Sequence, residues 1–177
     1  LDLIANPSAG MLAVGRGYAD RLIALDEPWV SSLFGDAPSD AARAALAGTD
    51  MAVVWLTQHA TVVANMQAAG VTVVHGANPF PSAETPSHVA DHLVATLAPL
   101  GIGNGPVIPV IRLLDEDRRR VRRLLSDVGI APNQPFIAMH PGSGSRHKNW
   151  PADRFVALAD NLSRRLAVPI VLLLGPA

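Results

Sequence analysis

Ser143, Ser145, Arg146 and Lys148 stand together in one short stretch, interleaved with Gly142 and Gly144. Glycines let a backbone come close to a ligand. Hydroxyls donate hydrogen bonds, and cations neutralise negative charge. Residues of these types at this spacing suit the binding of an anion, a phosphate or diphosphate above all. The plainer explanation is a glycine-serine turn with solvated cations, since such turns are common where strands end.

The flanking residues decide whether such a loop is held in place. The apolar run Phe136-Ile137-Ala138-Met139 predicts a buried strand over 136–140. Order resumes at Trp150-Pro151, and Pro151 suits the first turn of a helix because the N–H it lacks would be unpaired there. Asp153 follows where the helix dipole favours negative charge. Two familiar phosphate loops do not fit. A Walker A loop needs Gly before the Lys and Ser or Thr after it, where His147 and Asn149 stand. A dinucleotide fingerprint needs a third Gly at the position of His147.

The wider spelling is an apolar strand, His-Pro-Gly-Ser-Gly, a Lys, Trp-Pro and a helix with Phe155 and Leu158. The run over 168–175 follows, with its Leu-Gly-Pro ending. It resembles glycosyltransferase family 9, the group of the ADP-heptose:lipopolysaccharide heptosyltransferases. The match is specific over residues 136–176 and loose elsewhere. The resemblance implies an α/β, GT-B-like architecture of two Rossmann-like parallel-sheet domains. It also implies that Ser143, Gly144, Ser145 and Lys148 hold the diphosphate of a nucleotide-sugar donor, ADP-linked in the family. That donor is a substrate, so no cofactor is expected, and GT-B enzymes use protein cations in place of a metal. The acceptor implied is a saccharide or lipid-linked saccharide at the cytoplasmic membrane face. The family's base, an Asp in a Gly-Asp loop after the first strand, would lie before Leu1. Asp2, Asp26, Asp36 and Asp50 are candidates by charge alone.

The chain has 177 residues, 49% of them hydrophobic, with Lys and Arg numbering 14 against 15 Asp and Glu. Such a balance carries no basic footprint for nucleic acid. Cysteine is absent, which excludes a disulfide scaffold and Cys-based metal sites. No apolar run approaches a membrane span, and no signal peptide is visible. The chain opens inside an apolar segment and stops just past another. It therefore reads as an internal fragment, inactive and prone to aggregate by itself.

Strands are expected over 1–5, 21–25, 51–56 and 71–75, with 51–56 and 71–75 central in one parallel sheet. Between them, Asn6-Pro7-Ser8 signals a turn ahead of a short helix over 9–14. Further helices are expected over 28–34, 40–47 (capped by Ser39) and 61–69. The loop over 76–81 leaves the carboxyl end of a strand, the edge where ligands sit in such sheets. On the helix expected over 86–97, His88 and His92 lie four apart on one face. With Arg146 they are candidates for a substrate cleft. Metal binding would need further ligands, no His-Glu-x-x-His pattern is present, and a surface pair explains them as well.

The domain boundary is placed at Arg112, giving an acceptor-side domain over 1–112 and the start of a donor-binding domain over 113–177. The helix over 115–128 has acids at its start and arginines toward its end, with Leu114, Val121, Leu124 and Leu125 as its buried side. Its arginines read as a solvated face, with contact to anionic lipid as the sharper alternative. The second unit then runs through strands over 136–140 and 168–174, parallel neighbours joined by the helix over 151–166. Trp150 reads as a packing residue. Two other functions fit the same residues: a non-catalytic nucleotide- or phosphate-binding module, and a nucleotide-sugar epimerase of the same build.

Overall fold

The computed structural model describes residues 1–84, 86–103, 105 and 108–175, and for Arg146 the backbone alone. The chain divides into two compact units, Leu1–Arg112 and Leu113–Ala177.

The first unit opens with β1 (Asp2–Ala5), α1 (Pro7–Gly10) and β2 (Arg21–Ala24). Asn6-Pro7-Ser8 is a helix start and not the expected turn. The Asn6 side chain accepts from the Ser8 amide at 3.0 Å and Pro7 fills the first helical position, so α1 begins earlier than 9–14. Gly10 brings α1 onto β2: a Cβ there would lie 2.2 Å from Leu22 Cδ1. The strands pair in parallel, with Asp2 opposite Arg21 and a 2.5 Å ion pair between their side chains.

α2 (Pro28–Ser32), α3 (Asp40–Leu46), β3 (Met51–Trp55), α4 (Ala60–Ala68) and β4 (Val73–Ala77) follow. Ser39 caps α3 as expected, accepting from the Ala42 amide at 3.1 Å. Leu33, Ala42, Leu46, Val54, Val62, Met66, Ala69 and Val71 form the core of this unit. β4 starts two residues later than the valine-rich run suggests. Val71 is spent on the core, and the ladder with β3, from Met51↔Val73 to Trp55↔Ala77, sets the register. Among the described residues the strands form three separate two-stranded sheets, β1–β2, β3–β4 and a third in the second unit. β3 and β4 are therefore not the centre of a wider ladder. β1 reaches their core by packing Ile4 against it, with no strand-to-strand hydrogen bonds.

Buried Asn65 on α4 closes this core. Its Nδ2 donates to the carbonyls of Leu33 (2.9 Å) and Gly35 (2.8 Å) just past α2, satisfying groups that α2 leaves open. Arg43 on α3 also donates to the Ala68 carbonyl at the end of α4.

α5 (Val89–Ala95) is shorter than expected and is followed by a 3₁₀ turn at Ala98–Leu100. Residues 108–111 run without regular structure, and Val107 lies outside the described residues. This segment is tied back to the start of the unit. Tyr18 Oη donates to the Val110 carbonyl at 2.5 Å, Arg16 to the Arg112 carbonyl at 2.6 Å, and the Arg112 guanidinium lies 5.4 Å from the Tyr18 ring centroid.

The second unit contains α6 (Asp115–Asp127), β5 (Ile137–Met139), α7 (Ala152–Leu166) and β6 (Ile170–Leu172). α6 begins with the Leu114 amide donating to Asp117 Oδ2 at 2.9 Å. Its arginines sit in the middle turns and none in the last, and its expected buried side is not buried. Leu114, Val121 and Leu124 are exposed and Leu125 only half-buried. Buried apolar residues of this unit, among those described, are Ile130 and Met139. β5 and β6 pair in parallel as expected, Ile137↔Ile170 through Met139↔Leu172. Among the described residues no helix is long and apolar enough to cross a membrane.

Asn65→Ala would strand two carbonyls at the heart of the first unit. The expected loss is about 2–3 kcal/mol of stability, read from the shift of the urea midpoint of the full-length protein. A loss below about 0.5 kcal/mol would mean that water replaces the amide at no cost.

Candidate anion-binding site

Parallel pairing brings the carboxyl ends of β5 and β6 to one edge, and residues 140–150 leave from it. The loop is folded on itself through the Ser145 carbonyl. That oxygen accepts from Ser143 Oγ at 2.7 Å and from the Lys148 amide at 3.0 Å, which closes the 3₁₀ turn Arg146–Lys148. The Ser143 hydroxyl in turn accepts from the Ser145 amide at 3.2 Å. Ser143 is thus occupied in shaping the loop, which residue types alone do not reveal. The half-buried Ser145 side chain has no hydrogen-bond partner among the described residues.

The amides of Gly142, Ser143 and Gly144 likewise have no acceptor among the described residues. A Cβ added at Gly144 would meet no atom within 4 Å, so the loop is open on that side. Lys148 is exposed and has no carboxylate partner among the described residues. Arg146, named as a candidate cation, has its side chain outside the described residues. Among the described residues, amides, a hydroxyl and an ammonium without protein partners thus stand on one loop, groups of the kind that can meet an anion.

α7 is entered differently from the expectation. Pro151 is its N-cap, with ψ 138, and not its first helical residue; its carbonyl accepts from Arg154 (3.1 Å) and Phe155 (3.3 Å). No side chain caps this end, which leaves the first amides of α7 available beside the loop. Trp150 precedes the cap and packs edge-to-face on Phe155, ring centroids 5.1 Å apart at 80°. This is a hydrophobic staple, the residue before the cap against the fourth of the helix. Trp150 is a packing residue, as expected.

In the first unit His88 and His92 do not share a helix face. His88 is the N-cap of α5, its Nδ1 accepting from the Ala90 amide at 3.2 Å. His92, one turn inside, donates from Nε2 to the Asn78 carbonyl at 2.9 Å and holds the loop after β4 to α5. Among the described residues no group of acids and histidines is arranged to hold a metal.

Sequence reading passed over His59, which sits half-buried at the start of α4 with its ring against Gly76 of β4. A Cβ at Gly76 would lie 2.3 Å from His59 Cδ2. Glycine inside a strand is the signal that marks such a close approach. Of the acids considered as bases, Asp2 is the poorest. Its hydrogen bond to Arg21 holds its carboxyl below the usual carboxylate range, which favours the anion and weakens it as a base. Asp26, Asp36 and Asp50 are exposed.

No protein-family model matches the sequence, and no curated protein matches it significantly. Among solved structures, the fold is similar to that of the glycosyl transferase family 9 protein from Veillonella parvula DSM 2008. The TM-score is 0.74 at 22% identity, over 99% of this chain and 53% of that protein. The chain thus spans about half the length of that neighbour. At this identity the likeness is one of fold, the α/β, GT-B-like fold that the resemblance over 136–176 implies.

The staple gives a direct test of how the loop exit is held. A double-mutant cycle of Trp150→Ala and Phe155→Ala should show a coupling of about 0.5–1.5 kcal/mol in unfolding free energy. Additive losses would leave Trp150 without that role.

Proposed function

We propose that this chain is part of an inverting glycosyltransferase of family 9 kind. It would move a heptose-like sugar from a nucleotide-diphosphate donor, ADP-linked, to a saccharide or lipid-linked acceptor. The observation that carries this reading is the loop after β5. Among the described residues, the amides of Gly142, Ser143 and Gly144, the Ser145 hydroxyl and the Lys148 ammonium have no partner in the protein, and all stand on the loop that leads to the uncapped start of α7. The fold likeness to the Veillonella parvula protein supports it.

In direct displacement at the sugar carbon, the acceptor oxygen forms a bond as the bond to the diphosphate oxygen breaks. Negative charge grows on the leaving diphosphate, and the groups at this loop act on that charge. Lys148 supplies a full positive charge, the amides of Gly142, Ser143 and Gly144 supply dipoles, and the start of α7 adds its own. Asp153 in the first turn of α7 already takes part of the favour of that helix end, so Lys148 is the principal cation. Ser143 contributes by keeping the loop folded and Ser145 by donating directly. This grip needs neither metal nor cofactor. The base that deprotonates the acceptor is not assigned to a residue of this chain, so residues 1–177 alone are expected to transfer no sugar. The setting proposed is the cytoplasmic face of the inner membrane.

Lys148 should matter more in the transition state than in the resting complex. In the full-length protein, Lys148→Ala should lower kcat/KM for an ADP-sugar by about 2–4 kcal/mol, with part of the loss in kcat. Ser145→Ala should cost about 1 kcal/mol. Steady-state kinetics at saturating acceptor measure both. Wild-type kcat and donor affinity in Lys148→Ala would reject the site, and binding of ADP without any transfer would favour a non-catalytic module.

A further inference from the structure

His140 follows β5 and opens the loop, and its ring lies near two glycines. A Cβ at Gly142 would lie 3.5 Å from His140 Cε1, and one at Gly175 would lie 3.7 Å from the same atom. Gly175 follows β6, so the ring spans from the loop after one strand to the segment after its neighbour. Its Nδ1 lies 2.6 Å from the Leu173 carbonyl. A carbonyl only accepts, so Nδ1 carries the proton and donates it. One backbone bond, from the Leu173 amide to the Met139 carbonyl at 2.8 Å, continues the ladder just before this point. Beyond it, among the described residues, no backbone hydrogen bond joins the two segments. The imidazole is what continues the pairing past the end of the sheet.

We propose that His140 is a positioning residue: its Nδ1–H bond to Leu173 clamps the anion loop to the end of β6 and so sets the geometry in which Lys148 and the loop amides meet a diphosphate. The consequence for that ligand rests on the function proposed above, but the clamp itself does not. Ser143 and Ser145 shape the loop internally, and Trp150 fixes where it enters α7. His140 fixes where it leaves β5. A Cβ at Gly142 or Gly175 would stand in ordinary contact with the ring, so the His140 side chain packs close to the backbone of both segments.

The two ring nitrogens can be tested separately in the full-length protein. Asn places its amide NH₂ near the position of Nδ1 and keeps the bond to Leu173; Gln places it near Nε2 and loses that bond. Hydrogen exchange of amides 142–149 without ligand reads the clamp, and calorimetric titration with ADP reads the site. His140→Asn should keep wild-type exchange and affinity, whereas His140→Gln should speed exchange and weaken ADP binding about 5–10-fold, an order of magnitude expected for one polar contact of roughly 1 kcal/mol. Equal exchange in the two variants overturns the proposal. So does an impaired Asn variant beside an intact Gln variant, which would mean that Nε2 meets the ligand itself. Should exchange follow the clamp while ADP affinity is unchanged in both variants and in Lys148→Ala, the clamp stands and the diphosphate assignment falls.

Discussion

Two strands that pair in parallel must be joined by a connection that returns the chain to its starting end, and this constraint shapes both units. The return runs through α4 between β3 and β4, and through α7 between β5 and β6. Each return leaves the carboxyl ends of its strands at one edge, followed by a loop and the start of a helix. Backbone amides that neither sheet nor helix satisfies collect there. In the first unit that edge carries His59 against Gly76. In the second it carries the loop over 140–150.

The second of these edges holds its shape with few atoms. The Ser145 carbonyl takes two hydrogen bonds, the Ser143 hydroxyl makes two, and the Trp150–Phe155 pair fixes the helix entry. Among the described residues, the polar groups used to build the loop are distinct from those left open. The cost of ordering such a loop is offset by the ladder beneath it and by α7 beyond it.

Burial is distributed unevenly between the units. The first has a contiguous core closed by Asn65, with Val30 and Leu33 fully enclosed. The second encloses Ile130 and Met139 and leaves one side of α6 apolar and open, Val121 at 51% and Leu124 at 56% exposure. The amphipathic pattern of α6 is real, since its acids and arginines leave a stripe of Leu and Val. Among the described residues nothing buries that stripe.

The sequence by itself determined the alternation of strands and helices, the parallel partnership of β5 and β6, the cap at Ser39 and the loop around Ser143 to Lys148. Each depends on local chemistry: apolar period, β-branching, a hydroxyl before a helix, glycine beside serine. Only the tertiary structure decided which polar groups are free. Ser143 and Ser145 are the same residue type two positions apart, yet one hydroxyl is bound within the loop and the other is open. His88 and His92 have helical spacing, yet one caps the helix and the other holds a loop, because α5 starts later than its pattern suggests. The two-residue offset of β4 came from Val71 being drawn into the core, and the clamp at His140 from a strand some thirty residues further on. Register, caps and hydrogen-bond partners are settled by which atoms meet across the fold, and no local pattern carries that information.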